Sequence, residues 1–416
     1  MRISLIGYGK TTRAVAKALG GGQTFFDDKA KSSFRDEDGN IIYPSSEFNS
    51  KRSDIEILTP SIPPSHKILK VAQNPVSEYD LFLAPPELTK TKNTPLERLF
   101  AKDVKSIWIS GTNGKTTTTQ MVTHLLKAKG ALSGGNIGTP LAELSPKAFI
   151  WVLETSSYTL HHTKFAYPDI YLLLPITPDH LSWHGSKASY IRDKLSVLER
   201  MQEGQLALIP KGLPLPKSDA WIVEYDGVEF LEEFFSLDSS KLRYKGAFLE
   251  DAMLALAVER TLFDGASYEL LNGFKLDRHR QEEINDRFGR LWVNDSKATN
   301  LDATLKAVEV YSDKKIHLIL GGDDKGVEME PLIKYISNFD ITLYTIGSNS
   351  KKLSSLAKRY GVEVFEFEYL RDAQREIDKN LKEGEVALLS PAASSLDQFS
   401  SYAKRGDEFI DFVKSI

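Results

Sequence analysis

The segment Gly111–Thr116 reads Gly-Thr-Asn-Gly-Lys-Thr, a combination of residue types that binds the phosphates of a nucleotide. Its glycines let backbone N–H groups curl around phosphate oxygens, and the helix predicted after them adds its positive N-terminal end. The lysine brings a positive charge to the outer phosphates, and the last threonine offers a hydroxyl to Mg²⁺. The predicted nucleotide-binding residues are Gly111, Thr112, Asn113, Gly114, Lys115, Thr116 and Thr117.

This loop is shorter than the common phosphate loop. Only Thr112 and Asn113 separate its two glycines, and Ile stands at position 109. We therefore predict a compact variant rather than the form found in the usual GTPases and kinases. The alternative is a glycine-rich turn between a strand and a helix with an exposed lysine.

Two further side chains that suit phosphate and metal chemistry follow apolar runs. Glu154 directly follows the run Phe149–Leu153, and His180 lies shortly after the run Ile170–Leu174. The carboxyl ends of parallel strands meet at one edge of a sheet, where a carboxylate beside a phosphate loop can bind Mg²⁺. We therefore predict that both belong to the nucleotide site. A solvated strand-end glutamate and an exposed histidine are the alternatives.

Lys194 lies on the predicted helix Lys187–Arg200, and its pattern alone is that of an ordinary surface lysine. A lysine that is instead buried near cations has its neutral form favoured. In that form it can take up CO₂ as a carbamate and then act as a carboxylate. The sequence pattern does not choose between these states.

A second glycine-rich turn lies near the start of the chain. The segment Gly7–Thr12 follows the apolar run Ile3–Ile6, but Thr12 stands where a dinucleotide-binding fingerprint has its third glycine. Asp27 and Asp28 lie near the position where such folds hydrogen-bond a ribose or uridine. A ligand-binding turn and a plain strand–helix turn both fit this pattern. A dinucleotide oxidoreductase is the corresponding rival function.

Strands and helices alternate along the chain, which is typical of an α/β protein with parallel sheets. A polar segment, Thr89–Pro95, and a basic elbow, Asp277–Arg280, divide the pattern into three blocks. We predict three domains, at residues 1–92, 93–276 and 277–416. The predicted helices are Thr12–Leu19, Thr116–Lys129 and Lys187–Arg200, and the predicted strands are Ile3–Ile6, Ile55–Leu58, Leu81–Ala84, Ser106–Ser110, Phe149–Leu153, Ile170–Leu174, Leu291–Asn294, His317–Leu320, Thr342–Ile346 and Val386–Leu389.

The composition limits the classes of function. A net charge of −4 gives no bulk attraction to nucleic acid or to an anionic membrane. The absence of cysteine excludes disulfides, thiolate nucleophiles and cysteine-bound metal, and it fits a reducing cytoplasm. No apolar stretch approaches the roughly 18 residues of a membrane helix, and the N-terminal apolar run is too short for a signal peptide. We therefore expect a cytoplasmic protein without nucleic-acid partners or membrane insertion.

Several segments resemble the motifs of the Mur ligase family, in the family's order and over nearly the whole chain. They are GTNGKTTT at 111–118, GGNIG at 134–138, ETSSYTL at 154–160, TPDHLSWHGS at 177–186, HR at 279–280 and NDSKATN at 294–300. The segments DSKATN at 295–300 and SPAASSLDQFSSYAKRGDEF at 390–409 resemble the members that add D-glutamate. The resemblance implies a Rossmann-like N-terminal domain, a central P-loop ATPase-type mononucleotide-binding domain and a Rossmann-like C-terminal domain.

The resemblance also implies an activity. It is that of a monomeric, ATP-dependent ligase that adds D-glutamate to UDP-N-acetylmuramoyl-L-alanine in peptidoglycan synthesis, and so serves cell-wall biogenesis, cell shape and cell division. ATP would phosphorylate the alanine carboxylate, and the amine of D-glutamate would attack the acyl phosphate. Three substrates on three domains imply closure about Asp277–Arg280, which would exclude water and bring Arg280 to the ATP phosphates.

The resemblance implies roles for single residues as well. The implied catalytic residues are Lys115, Glu154, His180 and Lys194. Two Mg²⁺ ions would be held by Thr116, Glu154, His180 and the carbamate of Lys194. Besides the phosphate loop, ATP would contact Arg280, Asp295 and Lys297. The implied UDP-substrate residues are Lys10, Thr11, Asp27, Ser61 and Asn136, and the implied D-glutamate residues are Thr299, Lys325, Ser395, Leu396 and Tyr402.

The chain departs from the family pattern at three places. The segment Gly246–Ala252 lacks the histidine and both asparagines of the usual GxHNxxN stretch, so adenine must be held differently. Ser182 and Trp183 replace a more usual Asp-Arg pair, and Tyr402 stands where Phe is familiar. None of these changes removes a group needed for phosphoryl transfer.

Three other functions remain open beside the oxidoreductase. Two of them share the ATP chemistry: a sister ligase of the same family and a folylpolyglutamate synthase, each of which adds a different residue. The third is a regulatory protein that binds nucleotide without ligation. The presence of Glu154, His180 and Lys297 together favours ligation over regulation.

Overall fold

The first sheet is built around the apolar strand near the N-terminus. The computed structural model describes residues 2–85 and 104–416. The strands of this sheet are β1 (Ile3–Ile6), β2 (Thr24–Asp27), β3 (Phe34–Arg35), β4 (Ile41–Pro44), β5 (Ile55–Leu58) and β6 (Pro75–Val76). They lie in the order β3-β4-β2-β1-β5-β6. The β3–β4 pair is antiparallel, and the other neighbouring pairs are parallel.

The centre of this sheet is fixed by burial. Leu5 on β1 is fully buried and pairs with Phe25 on β2 and with Ile57 on β5. The chain then turns at Gly7, whose φ of +86° lies in the left-handed region that favours glycine. Helix α1 (Lys10–Ala18) follows the turn. The strand, turn and helix predicted at the start of the chain are thus confirmed.

The apolar run Leu81–Ala84, which we predicted to be a strand, forms the end of a helix instead. This helix, α2 (Glu78–Leu83), begins after Ser77, whose hydroxyl accepts a hydrogen bond from the N–H of Asp80. The Asp80 carboxylate accepts one from the Ser77 N–H at 3.1 Å, which completes a capping box. A short, fully buried apolar run has no periodicity that separates strand from helix, so the capping residues decide.

The second sheet is parallel and carries the phosphate loop. Its strands are β7 (Lys105–Ser110), β8 (Ala131–Gly135), β9 (Ile150–Glu154), β10 (Ile170–Leu173), β11 (Leu206–Pro210) and β12 (Trp221–Tyr225), in the order β12-β11-β10-β7-β9-β8. Ile109 on β7 lies opposite Glu154 on β9, and Ser110 lies opposite Leu173 on β10. This register brings the carboxyl ends of β10, β7 and β9 to one edge of the sheet. The helices that accompany this sheet are α3 (Lys115–Leu126), α4 (Ser157–His162), α5 (Leu181–His184), α6 (Lys187–Leu195), α7 (Val228–Phe235), α8 (Gly246–Phe263) and α9 (Tyr268–Asn272).

The third sheet has one antiparallel edge strand. Its strands are β13 (Glu282–Asn285), β14 (Leu291–Asn294), β15 (Ile316–Gly321), β16 (Ile341–Ile346), β17 (Glu363–Glu366) and β18 (Val386–Leu389), in the order β13-β14-β18-β15-β16-β17. β13 is antiparallel to β14, and the remaining pairs are parallel. The four strands predicted in this part of the chain are confirmed. The helices are α10 (Leu301–Val310), α11 (Glu330–Ile336), α12 (Ser350–Arg359), α13 (Leu370–Asn380) and α14 (Tyr402–Ser415).

Three mainly parallel sheets with surrounding helices confirm the predicted α/β fold class. By packing, the chain divides into two compact units, Met1–Arg243 with Leu249–Phe274, and Tyr244–Phe248 with Lys275–Ile416. The first two sheets belong to the first unit. The predicted linker Thr89–Pro95, and with it the boundary after residue 92, lies outside the described residues. No helix of the described residues is long and apolar enough to cross a membrane.

Candidate active site

The loop between β7 and α3 has a conformation that requires its two glycines. Gly111 has a φ of +146° and Gly114 a φ of +80°, values that side chains rarely allow. A Cβ on Gly111 would lie 2.5 Å from the Cβ of Leu174, and one on Gly114 would lie 2.7 Å from a carboxylate oxygen of Asp251. The backbone can therefore curl tightly before the N-terminus of α3, an arrangement that binds anions.

The ammonium group of Lys115 lies over this loop. It donates hydrogen bonds to the carbonyl oxygens of Gly111 at 3.0 Å and Thr112 at 2.8 Å. The Thr112 hydroxyl donates in turn to the carbonyl oxygen of Thr177 at 2.9 Å, which ties the loop to the segment after β10. A positive charge is thus held where the outer phosphates of a nucleotide would lie.

Glu154 ends β9 with its carboxylate beside the phosphate loop. The residue is only 3% exposed. Its Oε2 accepts a hydrogen bond from the Thr116 hydroxyl at 2.8 Å, and its Oε1 accepts one from the Asn136 side-chain amide at 2.6 Å. The structure therefore brings together three predicted site residues from the ends of β8 and β9 and the start of α3.

The carboxylate of Glu154 is buried beside neutral hydroxyl and amide partners. Within residues 2–85 and 104–416, no lysine, arginine or histidine forms an ion pair with it. A buried charge is stable only when it is paired or coordinates a metal. Carboxylate, hydroxyl and amide oxygens are donors that Mg²⁺ accepts. The donor set around Glu154 therefore fits a divalent cation, although the described residues contain no group of three or more His, Cys, Asp or Glu side chains that could hold a metal ion.

His180 follows β10 and begins the short helix α5. Its φ of +52° lies in the left-handed region, and its side chain is about half exposed, with 48% of its surface accessible. The ring lies 3.5 Å from the Asp179 carboxylate and 5.0 Å, between centroids, from the Tyr158 ring. The imidazole is thus accessible to solvent at the same edge of the sheet as the phosphate loop, where the strands have their carboxyl ends.

Lys194 is buried, which corrects the surface position that its sequence pattern indicated. It is 1% exposed, and its Nζ donates to the Gly111 carbonyl oxygen at 2.8 Å and to the Ser110 hydroxyl at 3.2 Å. Burial, and after it the charge of Lys115, lower the pKa of this ammonium group well below its usual value, while Asp179 opposes the shift. The neutral amine is therefore favoured next to the phosphate loop.

Asp251 on α8 is a loop contact that the sequence analysis missed. One of its carboxylate oxygens accepts a hydrogen bond from the Thr118 hydroxyl at 3.0 Å, and the same hydroxyl contacts the carbonyl oxygen of Gly114 at 3.1 Å. Asp251 lies within the segment that lacks the family's histidine and asparagines. The only signal in the sequence was the absence of the expected motif, which indicated that this segment differs from the family but did not point to Asp251.

A cavity of about 450 Å³ opens at the carboxyl ends of β1, β2 and β5. Asp27 and Ser61, two of the predicted UDP-substrate residues, line it. The Asp27 carboxylate accepts a hydrogen bond from the N–H of Tyr8 in the glycine turn at 2.7 Å. The sequence analysis missed His66, which contacts Asp28 at 3.0 Å in the cavity wall.

The other predicted UDP-substrate residues lie outside this cavity wall. Lys10 begins α1, and its ammonium group donates to the carbonyl oxygen of Gly138. Thr11 follows it on the same helix. Asn136 is exposed at the end of β8, where its amide contacts Glu154. The predicted UDP-substrate set thus extends from the cavity towards the phosphate loop.

In the second unit, Asp295 follows β14 and is buried. Burial raises the pKa of its carboxyl group to about 7, although the Ser390 hydroxyl, the Gln281 N–H and the Arg280 charge act in the opposite direction. The Ser390 hydroxyl donates to Asp295 at 2.9 Å, and the Gln281 N–H at 3.3 Å. Arg280 and Asp295, both predicted to contact ATP, therefore interact electrostatically.

Lys297 and Tyr402 form a second contact in this unit. The Lys297 ammonium group lies 4.1 Å from the centroid of the Tyr402 ring, a cation–π geometry. Thr299 is exposed just before α10. Residues predicted for ATP and for D-glutamate thus come together at the start of α14.

The remaining predicted D-glutamate residues lie on two loops that are joined by their backbones. Asp323 and Ser394 exchange N–H···O bonds of 2.9 Å in each direction, so the loops after β15 and β18 run side by side. Lys325 lies on the first loop with a φ of +49°. Ser395 and Leu396 lie on the second, the former buried and the latter 64% exposed.

Arg405 on α14 supports this region and was missed by the sequence analysis. It is 1% exposed, and its guanidinium donates to the Ser296 hydroxyl at 3.0 Å and to the carbonyl oxygens of Ser296 at 2.9 Å and Ala393 at 3.2 Å. Burial lowers its pKa to about 10. A single arginine in an amphipathic helix gives no sequence signal of burial.

Two family models match large parts of the chain. The model of the Mur ligase middle domain matches residues 109–222, and that of the Mur ligase glutamate ligase domain matches residues 279–393. The chain is 49% identical, over 100% of both chains, to UDP-N-acetylmuramoylalanine--D-glutamate ligase of Campylobacter jejuni strain RM1221. It is 45% identical, over 99% of both chains, to the enzyme of the same name from Helicobacter pylori strain 26695.

Solved structures share the fold at low sequence identity. MurF ligase from Thermotoga maritima in complex with ADP has a TM-score of 0.58 at 16% identity, over 95% of this chain and 94% of that one. UDP-N-acetylmuramate-alanine ligase MurC from Thermotoga maritima has a TM-score of 0.55 at 18% identity, over 99% and 98%.

The fold and the site define a nucleotide-binding α/β protein of the P-loop class, with a carboxylate and a buried lysine beside the loop. The full-length relatives then show to which family within this class the chain belongs. The chain belongs to the Mur ligase family, and its relatives at 44–49% identity carry the name of the D-glutamate-adding ligases.

Proposed function

We propose that this chain joins D-glutamate to UDP-N-acetylmuramoyl-L-alanine, with conversion of ATP to ADP and phosphate, in the synthesis of peptidoglycan precursors. The observation that carries this proposal is the phosphate loop whose Thr116 hydroxyl is hydrogen-bonded to the buried carboxylate of Glu154. The full-length identity to ligases of that name supports the choice of substrates.

The reaction needs activation because a carboxylate has a poor leaving group. In the first step, a carboxylate oxygen of L-alanine attacks the γ-phosphate of ATP and gives an acyl phosphate and ADP. In the second step, the amine of D-glutamate attacks the acyl carbon, and the tetrahedral intermediate expels phosphate. The first step spreads negative charge over the phosphoryl oxygens, so that stabilisation of this charge is the main catalytic task.

Lys115 is proposed to stabilise that charge. Its ammonium group already lies over the loop, held by two carbonyl oxygens. Phosphate oxygens are stronger partners for an ammonium group than carbonyl oxygens because they carry negative charge themselves. The N–H groups at the N-terminus of α3 would bind the remaining phosphate oxygens.

Thr116 and Glu154 are proposed to hold one Mg²⁺ ion, and His180 to hold a second together with a carbamate of Lys194. Bound Mg²⁺ would neutralise negative charge on the phosphates and reduce the repulsion between ATP and an anionic acceptor. Glu154 brings a buried negative charge to this position, and Thr116 a neutral oxygen donor.

Carbamylation of Lys194 is supported by its environment. The amine must be neutral to add to CO₂, and burial beside Lys115 favours that neutral form. The product would place negatively charged oxygens next to Ser110 and Gly111, which the amine contacts. A negative group there would offset the charge of Lys115 and complete a set of oxygen donors for a metal ion.

The substrates are proposed to bind around this centre. The UDP group would occupy the cavity lined by Asp27 and Ser61, with Lys10 and Thr11 beside it and Asn136 at the muramyl part. Arg280, Asp295 and Lys297 would contact ATP. D-glutamate brings two carboxylates, which basic and hydroxyl side chains bind well. The side chains proposed for it are Thr299, Lys325, Ser395, Leu396 and Tyr402.

The cellular setting follows from the reaction. We propose a monomeric enzyme that works in the cytoplasm, where ATP and UDP-linked sugars are made. Its product would be needed for cell-wall growth, cell shape and cell division. Nucleic acid and membrane insertion have no part in this proposal.

An amino-acid panel tests the proposed function. Full-length protein with UDP-N-acetylmuramoyl-L-alanine, ATP and Mg²⁺ should release ADP with D-glutamate, and not with L-glutamate, L-alanine or diamino acids. Lys127, exposed at the end of α3, provides a matched control, because Lys127→Ala should keep the activity that Lys115→Ala loses. ADP release with a different amino acid would assign a sister activity, and no ADP release with any of them would refute ligation.

A further inference from the structure

Two ring N–H groups, from helices that accompany the second sheet, contact the loop after β5. This loop lines the cavity at the edge of the first sheet. Nε2 of His162, at the end of α4, lies 2.8 Å from the carbonyl oxygen of Ile62. The indole N–H of Trp183, in α5, donates to the carbonyl oxygen of Ser61 at 3.1 Å. These two acceptors are consecutive residues, and both line the cavity of about 450 Å³.

His162 can serve only as a donor in this contact. The residue is 4% exposed, and burial lowers the pKa of its ring to about 4, so the ring is neutral at physiological pH. A neutral ring carries one N–H, and a carbonyl oxygen can only accept, so the proton lies on Nε2. Loss of this bond would leave the carbonyl oxygen of Ile62 without a donor on that side.

The Trp183 ring also packs in a cluster of rings that reaches the metal-binding side of the site. Its centroid lies 4.5 Å from that of Tyr158 and 4.5 Å from that of His184. Tyr158 lies 5.0 Å from the ring of His180, the residue that caps α5. Asp193 holds His184 at 2.7 Å, which fixes the far side of the cluster. The cavity wall is therefore tied to the helix that begins at His180.

We infer that His162 and Trp183 are positioning residues for the nucleotide-sugar substrate, because they hold the Ser61–Ile62 wall of the cavity in a fixed place relative to His180. This inference rests on the proposed function, which supplies the nucleotide sugar. Ser61 can then offer its side chain to the substrate while its carbonyl oxygen is engaged by Trp183. Neither positioning residue belongs to the proposed catalytic residues Lys115, Glu154, His180 and Lys194.

Steady-state ADP release with varied UDP-N-acetylmuramoyl-L-alanine tests this inference, together with calorimetric binding of UDP alone. The variants are His162→Leu, which removes the donor, and His162→Gln, whose amide can replace Nε2. Trp183→Phe keeps a ring but removes the N–H. Trp221→Phe is the matched control, because Trp221 is exposed on the edge strand β12.

We expect His162→Leu to raise the KM for the nucleotide sugar about fivefold, as for the loss of one buried hydrogen bond. Trp183→Phe should raise it about threefold, because its bond lies at the more exposed rim. The kcat and the KM for ATP should change less than about twofold, His162→Gln should restore most of the binding, and Trp221→Phe should behave as the native chain.

The inference is overturned if His162→Leu and Trp183→Phe leave the KM for the nucleotide sugar unchanged, whether or not kcat falls. Such a result would show that the two side chains do not position this substrate. If His162→Leu does not fold, Trp183→Phe and its control carry the same test. If the native chain makes no ADP, the proposed function fails, and calorimetry with UDP then decides the inference alone. Equal UDP affinity in Trp183→Phe and the native chain would refute it.

Discussion

Replacement of Asp295 by asparagine should stabilise the ligand-free second unit at neutral and alkaline pH. The Asp295 carboxyl group is buried, and its pKa of about 7 lies above the ordinary value of 3.8. Between these pH values the folded chain keeps a proton that the unfolded chain has released. The stability contributed by this proton is complete below the ordinary pKa and is lost as the pH rises through the folded-state pKa. Asparagine remains neutral and avoids this loss.

The size of the effect follows from the shift. The difference between about 7 and 3.8 is about three pKa units, which at ~1.4 kcal/mol per unit corresponds to ~4 kcal/mol. We expect roughly 3 kcal/mol of this to develop between about pH 5 and about pH 8. The Gln281 N–H can still donate to the amide oxygen of the variant, and the Ser390 hydroxyl, which contacts the other carboxylate oxygen, can accept from the amide NH₂ group.

Hydrogen exchange measured by mass spectrometry on peptides of β14 and β18 reports the stability of this unit separately from the rest of the chain. The native chain should lose protection as the pH rises, after correction for the intrinsic exchange rate, while Asp295→Asn should stay nearly constant. Asp286→Asn is a control that should instead destabilise the unit. Although burial acts to raise the pKa of Asp286, hydrogen bonds from Trp292 and Arg290 hold this pKa below its usual value, so the charged carboxylate is the favoured form. Parallel pH profiles for Asp295→Asn and the native chain would refute the buried neutral carboxyl group.

The other predictions concern the phosphate site. Lys115→Ala should lower acyl-phosphate formation by at least ~10³-fold because no other group replaces its charge, and rapid-quench detection of ADP checks this; native-like rates would contradict it. Lys194→Ala should lose roughly a hundredfold in kcat and recover part of it with added short-chain carboxylates, whereas unimpaired activity would remove the carbamate. Gly114→Ala should weaken ATP binding at least ~10-fold in calorimetry, because φ is +80° and the methyl group would meet Asp251.

Much of the fold could be predicted because buried parallel strands are short runs of mainly apolar residues. Ile3–Ile6, Ile55–Leu58 and Val386–Leu389 are such runs, and each is a strand with these bounds. Leu81–Ala84 is an equally apolar run but lies in a helix, because Ser77 and Asp80 form a capping box ahead of it. Short apolar runs without their flanking capping residues are therefore ambiguous.

The site could be predicted only in part. The phosphate loop and the position of Glu154 at the end of a strand could be predicted from short local segments of the sequence. The pairing of β7 with β9 then brings the loop and Glu154 together. The burial of Lys194 depends on how α6 packs against β7, which no local pattern reports. Asp251 and Arg405 were missed for the same reason, since each acts through contacts with residues distant in the sequence.

Transfer of oxygen-18 from substrate to phosphate tests the proposed reaction most directly. UDP-N-acetylmuramoyl-L-alanine labelled with oxygen-18 in its carboxylate would be turned over with ATP, Mg²⁺ and D-glutamate, and the released phosphate analysed by mass spectrometry. We expect each phosphate to carry one labelled oxygen, because the alanine carboxylate attacks the nucleotide held by the Gly111–Thr116 loop. Unlabelled phosphate formed together with ligated product would contradict this mechanism.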